Sequence, residues 1–407
     1  MTMKNLWAHR MNLVKTSEIG DLAKQGRSNG CLSFAEGVPA ADLFPIEELV
    51  TCSERVLRTR GKDVLQYGNY GGIIGLREHI VTIVKEKYHI ETTSDSILVT
   101  TGSTQCMDLC GRLFIEDGDV VLVEIPSYID AMNTFSFYGG TVQGVSCDND
   151  GICIDELQQI LNSNKKVKAI YVIPDFQNPT GRYWSKARRI EFMDLIKDYD
   201  IAILEDNPYG EINYSGEYRR ALASYDTKGQ VVYMGSFSKT FSPGLRVGYV
   251  LGNKELVNQI TLTKESIDLH STAFNHSLIE EYMNTYSYSE HVQTMCDVYK
   301  NRLDMLCSEL QKELPMLQFS EPKGGFFLWV EIPKELNCYD FFVAAIEEKV
   351  SFVPGTPFYP SHDDVHHIRL NFTGVGEDQI KEGVKRLKVA YDKCAKSSVL
   401  SASQSPQ

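Results

Sequence analysis

Val231-Val232-Tyr233-Met234-Gly235-Ser236-Phe237-Ser238-Lys239-Thr240-Phe241-Ser242-Pro243-Gly244-Leu245-Arg246-Val247-Gly248-Tyr249-Val250-Leu251 sets a polar loop between two apolar runs, Val231 to Met234 and Val247 to Leu251. Runs of β-branched and aromatic residues bounded by Gly, Ser and Pro read as strands, so the loop around Lys239 lies at strand ends. In α/β sheets ligands gather there.

Lys239 has small and apolar neighbours, among which an ammonium loses hydration and its pKa falls. A neutral amine able to form a Schiff base becomes accessible. Ser236 and Ser238 bring hydroxyls, and Arg246 brings a planar fork suited to phosphate oxygens. A lysine for an aldehyde beside a set of groups for a phosphate implies pyridoxal 5'-phosphate (PLP). Taken alone, a Ser/Lys/Gly-rich turn is a solvated loop; the flanking strands argue otherwise.

Upstream, Ala202-Ile203-Leu204-Glu205-Asp206-Asn207-Pro208-Tyr209-Gly210 reads as a short buried strand that breaks at Pro208 and presents Asp206 and Tyr209. A carboxylate against the pyridine nitrogen keeps the ring an electron sink, which suits Asp206. An Asp ahead of a Pro turn is also an ordinary turn residue. Tyr209 offers a phenol for the ring hydroxyl. Asn178, in the turn Asn178-Pro179-Thr180-Gly181 after the run Ala169 to Ile173, offers an amide.

These stretches belong to an ordered series: Leu65-Gln66-Tyr67-Gly68, Thr101-Gly102-Ser103-Thr104-Gln105, Pro126-Ser127-Tyr128, Asn178-Pro179-Thr180-Gly181, Asp206-Asn207-Pro208-Tyr209, Ser236-Phe237-Ser238-Lys239, Gly244-Leu245-Arg246-Val247-Gly248 and Ile368-Arg369-Leu370. In this series the chain resembles the fold-type I PLP-dependent aminotransferases of class I/II over nearly its whole length. Phe34-Ala35-Glu36-Gly37-Val38-Pro39 and Leu43-Phe44-Pro45 make it most similar to the branch with aminoadipate, kynurenine and broad-specificity aromatic or branched-chain enzymes.

The resemblance implies an α/β fold, a large domain with a mainly parallel sheet between helices, and a smaller α+β domain. It implies Lys239, Asp206 and Tyr209 as catalytic residues. Ser103, Thr104, Tyr128, Asn178, Ser236, Ser238, Arg246 and Tyr67 join them around PLP, with Gly102-Ser103-Thr104 opening a helix whose amides face phosphate. Tyr128 would stack on the ring. Tyr67 would cross a homodimer interface to the partner's cofactor; without the resemblance it reads as a surface tyrosine. Arg369, Asn178 and Gly37 would meet substrate, Arg369 clamping the α-carboxylate of an amino acid. In the strand Ile368 to Phe372 alternation sets Arg369 on the face opposite its apolar neighbours, where pairing with a nearby acid is the alternative.

The implied reaction moves an amino group from an L-amino acid to a 2-oxo acid, by family habit 2-oxoglutarate, in two half-reactions. A lyase, decarboxylase, cyclase or oxygen-using oxidase shares almost every residue named, and those alternatives stay open. A regulator fusing this fold to a winged-helix domain is set aside: about thirty residues precede Phe34, where a domain needs roughly 60. Glu36, Thr104 and the pair Phe326-Phe327 depart from the family pattern. Glu36 reads as a solvated loop acid or as a charge that disfavours dicarboxylate substrates.

At 407 residues the chain exceeds one simple core, and a net charge of -13 gives nucleic acid no basic footprint. No stretch approaches the roughly 20 apolar residues of a spanning helix, so no membrane partner and a cytoplasmic location are expected. Ten cysteines lack C-x-x-C spacing and read as reduced. His362-Asp363-Asp364-Val365-His366-His367 reads as a loop rather than a metal site. Residues 1–44 are expected to form an arm serving the substrate site and small domain, 45–281 the PLP-binding domain, 282–396 a connecting helix from Tyr282 to Leu314 and the small domain, and 397–407 a disordered Ser-rich tail.

Overall fold

A computed structural model describes residues 6–14 and 18–403. Its strands are Leu32–Ser33 (β1), Ile97–Thr100 (β2), Val120–Glu124 (β3), Thr141–Val145 (β4), Val167–Val172 (β5), Ala202–Asn207 (β6), Val231–Ser236 (β7), Gly248–Leu251 (β8), Gln318–Phe319 (β9), Phe327–Glu331 (β10), Val350–Ser351 (β11), Val353–Pro354 (β12) and His367–Asn371 (β13). Seven of them form one sheet in the order β2-β8-β7-β6-β5-β3-β4. Only β8 runs against the rest, being antiparallel to both β2 and β7. The mainly parallel sheet expected from sequence is therefore present with one reversed strand.

Parallel strands covered on both faces need unbroken apolar runs, and β3, β6 and β7 are buried throughout. Successive residues alternate between two cores. Val121, Val123, Ala169, Tyr171, Leu204 and Met234 pack with the helices Ser103–Phe114, Ile129–Phe137 and Lys254–Asp268. Leu122, Ile170, Val172 and Ile203 face the other way, toward the helices Ile154–Ser163 and Lys186–Ile196. This arrangement turns the carboxyl ends of β2, β3, β5, β6 and β7 to the same side.

A second sheet, β12-β13-β10-β9, is antiparallel and sets Trp329 opposite Arg369. The amino-terminal segment lies beside it through backbone bonds: β1 pairs with β11 in a separate two-stranded sheet, and the Asn371 amide of β13 donates to the Phe34 carbonyl at 2.7 Å. The fold is thus the α/β fold-type I architecture, a seven-stranded mixed sheet with a smaller antiparallel one.

Two expectations change. The helical stretch from Tyr282 to Leu314 is two helices, Ala273–Thr285 and Tyr288–Glu313. Ser287 caps the second, its hydroxyl accepting from the Glu290 amide, a Ser-x-x-Glu start signal that breaks the apolar periodicity. At the carboxyl end the helix Glu377–Ser403 takes in the first part of the stretch expected to be disordered. Serine is only mildly unfavourable once a long helix is nucleated upstream. Residues 404–407 lie outside the described ones.

Candidate active site

Strand ends deliver the predicted residues to one place. Asp206 is the last residue but one of β6 and Ser236 closes β7; Asn178 follows β5, Tyr128 follows β3, and Ser103 opens the helix after β2. Every cofactor-side residue expected from sequence except Tyr67 lines a single cavity of about 120 Å³. Tyr67 is 79% exposed, its ring edge-on to His270 at 6.0 Å, outside the cavity of its own chain.

Lys239 Nζ donates to the Gly37 carbonyl at 2.7 Å and lies 5.9 Å and 5.7 Å from the ring centroids of Tyr209 and Phe326. Burial, then the positive fields of Arg369 and Arg246, lower its pKa to about 8, with Asp206 opposing. The backbone approach requires Gly37, because a Cβ there would sit 2.7 Å from Phe327 Cζ.

Asp206 is 2% exposed. Tyr171 donates its hydroxyl to Asp206 Oδ2 at 2.7 Å, while Oδ1 is buried with no hydrogen-bond partner. Burial raises its pKa to about 7 against the pull of Tyr171 and Lys239. A buried acceptor left without a donor is costly. Oδ1 therefore suits a ligand that brings a charged N–H donor.

Arg246 occupies the left-handed region at φ 53°, uncommon for a residue with a side chain. Its Nη1 donates to Ser238 Oγ and its Nη2 to the Thr101 carbonyl, both at 3.4 Å. Gly102, at φ 78°, leaves room for this: a Cβ there would lie 2.4 Å from Arg246 Nη2. Gly102 also precedes the helix Ser103–Phe114, so its first amides, two serine hydroxyls and a guanidinium share one end of the cavity.

Arg369 is 2% exposed, and its partners are an amide and a carbonyl rather than a carboxylate. Nη1 donates to Asn178 Oδ1 at 2.7 Å and Nη2 to the Ala35 carbonyl at 2.8 Å; Nε is buried without a partner. The guanidinium lies over the rings of Phe327 at 4.1 Å and Phe358 at 5.0 Å. Burial lowers its pKa to about 10, with Tyr209, Tyr128 and Asp130 opposing. A charged fork with a free edge suits an incoming carboxylate.

Sequence reasoning missed Tyr171, and its signal was a lone hydroxyl, which must find a partner, among the aliphatic residues of a strand buried at every position but Lys168. It also missed the carbonyls of Ala35 and Gly37, which no side chain announces. Asp130, accepting from the Tyr128 hydroxyl at 2.7 Å, is a further carboxylate beside the cavity. Glu36 pairs with Arg27 of the helix Glu18–Ser28. The histidine-rich stretch is a loop up to His366, and His367 opens β13; its Nδ1 lies 2.8 Å from Asp364 Oδ1 and its ring stacks on Trp329 at 5.2 Å.

Residues 29–387 match the family described as Aminotransferase class I and II. The chain is 35% identical to the aromatic-amino-acid aminotransferase 1 of Thermococcus litoralis over 92% of its own length and 91% of that protein. It is 34% identical to the 2-aminoadipate transaminase of Thermus thermophilus over 92% and 93%. The kynurenine aminotransferase of Pyrococcus horikoshii, solved with PMP, superposes with a TM-score of 0.91 at 32% identity, covering 96% of this chain and 98% of that one. Among the described residues no helix is long and apolar enough to cross a membrane. A phosphate end, an acceptor lacking its donor and a lysine between them fit PLP. With matches that run through the whole site, this chain belongs to the class I and II aminotransferases and is a PLP-dependent enzyme of amino-acid metabolism.

Proposed function

We propose that the enzyme moves the amino group of an L-amino acid to 2-oxoglutarate in two half-reactions at one site. The observation that carries this reading is the placement of Lys239 Nζ, its pKa lowered to about 8, in the field of both Asp206 and Arg369. PLP, when bound, supplies an electrophilic carbon and a sink for the electrons left at the substrate Cα.

The first amides of the helix from Ser103, with Thr104, Ser236, Ser238 and Arg246, hold the phosphate. Asp206 Oδ1 keeps the pyridine nitrogen protonated, and Tyr171 holds that carboxylate in place. Asn178 and Tyr209 would hold the ring hydroxyl, and Tyr128 would pack against the ring. Arg369 takes the substrate α-carboxylate, beside Asn178 and Gly37, and so fixes which bond at Cα is aligned for cleavage. Lys239 Nζ removes the Cα proton and later returns a proton.

In this reading residues 45–281 carry the cofactor, while 282–396 and the arm 1–44 carry the substrate side. The exposure of Tyr67 supports a homodimer in which it completes the partner's phosphate site. The ten cysteines, none of which forms a disulfide, are in keeping with a cytoplasmic setting.

A donor panel with 2-oxoglutarate tests the proposal. With one amino acid and no acceptor the holoenzyme should yield one equivalent of oxo acid and then stop. Continued acceptor-free turnover would make it a lyase or an oxidase. Lys239→Ala should abolish transamination, and retained turnover would overturn the mechanism.

A further inference from the structure

Behind the helix that opens at Ser103 lies a buried ammonium without a part in this chemistry. Lys264, in the helix Lys254–Asp268, has a side chain 1% exposed, and its Nζ donates to Asp268 Oδ1 at 2.5 Å. Asp268 Oδ2 accepts from Gln105 Nε2 at 2.7 Å. Gln105 is the third residue of the helix Ser103–Phe114, and its Oε1 turns back to accept the Thr101 amide at 2.8 Å. The Thr101 carbonyl in turn accepts from Arg246. Thr101 Oγ1 also lies 2.8 Å from Ser271 Oγ, just past Leu269, which is held at φ 65°. A chain of polar contacts thus joins Lys264 to both halves of the phosphate end.

The two charges at the far end of this chain oppose each other in effect. Asp268 anchors Gln105 and so fixes the turn Thr101 to Ser103, but an uncompensated carboxylate there would repel a phosphate bound at the same helix end. Taking an ammonium out of water costs several kcal/mol. A sequence that needed only the anchor would do as well with a neutral acceptor.

We propose that Lys264 is a positioning residue for the phosphate of the cofactor: by neutralising Asp268 it lets that carboxylate hold Gln105 and the helix start without opposing the phosphate. This rests on reading Ser103, Thr104, Ser236, Ser238 and Arg246 as the phosphate cradle.

The test is titration of the full-length apoenzyme with PLP, with pyridoxal, which lacks the phosphate, and with inorganic phosphate as competitor. Lys264→Met should weaken PLP and inorganic phosphate by about tenfold or more, the scale of one uncompensated charge nearby, and leave pyridoxal unaffected. Lys264→Met combined with Asp268→Asn should bring PLP back to within about threefold of wild type, because the Asn oxygen still accepts from Gln105. An unchanged PLP affinity in Lys264→Met, an equal loss for pyridoxal, or a double variant no better than the single one would overturn the proposal. Should Lys264→Met fail to fold, Asp268→Asn alone decides. It should bind PLP at least as tightly as wild type, and weaker binding would sink the idea. A wild-type chain that bound no PLP would instead sink the functional reading beneath it.

Discussion

Asn178 and Arg369 are joined through Oδ1 and Nη1 at 2.7 Å, so a turn after a strand of the large sheet sets the plane of a guanidinium on the small one. With Nη2 on the Ala35 carbonyl and Phe327 beneath the group, Arg369 has one geometry. Arg369→Lys keeps the charge and loses the fork. We expect kcat/KM for amino donors to fall by about 10- to 100-fold in steady-state assays, the loss of one bidentate charge-assisted contact.

Asp206 makes the apoenzyme pH-sensitive. Its folded pKa of about 7 lies above the ordinary aspartate value, so between roughly pH 4 and 7 the folded chain binds more protons than the unfolded one. Stability from this group therefore falls as pH rises through that window. Asp206→Asn should stabilise the apoenzyme at pH 8 by on the order of 2 kcal/mol and give no gain near pH 4, by denaturant melts at both. PLP should then stabilise wild type more than the variant.

Tyr67 is placed to test the dimer. Lys239→Ala and Tyr67→Ala chains should each be impaired alone, because each lacks one part of the site. Mixed after co-refolding, they should regain activity, since statistical pairing leaves roughly a quarter of sites with both parts. No recovery on mixing would mean that each chain builds its site unaided.

Glu36 lies between Ala35 and Gly37, whose carbonyls receive Arg369 and Lys239, and its carboxylate pairs with Arg27. Glu36→Gly removes a negative charge near the substrate end and frees a cation. The ratio of kcat/KM for dicarboxylic over neutral aromatic donors should rise by about fivefold, the worth of roughly 1 kcal/mol at a partly exposed site. An unchanged ratio would leave the pair as a surface latch.

Much of the site was legible because its side chains sit where strands end, and strand ends are marked by Gly, Pro, Asn and Asp. Lys239, Asp206 and Asn178 each lie at or after the end of an apolar run and Arg246 stands just before one, so the sheet brings them together once its order is known. The order itself was not legible, and neither was the reversal of β8. Contacts that depend on distant backbone were hidden: the Ala35 and Gly37 carbonyls carry no residue signal, and Gln105 meets Asp268 across 163 positions. Lys264 and Asp268 are four apart on a helix, a spacing that carries no mark of burial. The break at Ser287 was readable from its capping signal but was outweighed by the apolar periodicity around it.

The bond from Arg369 to the Ala35 carbonyl spans 334 positions, whereas β2 to β8 fall within residues 97–251. During synthesis the sheet that presents Lys239 can emerge from the ribosome and collapse while the clamp is still unmade. The cofactor end of the site is thus drawn from chain within residues 97–251, and the carboxylate end exists only once β13 has closed on the amino-terminal arm.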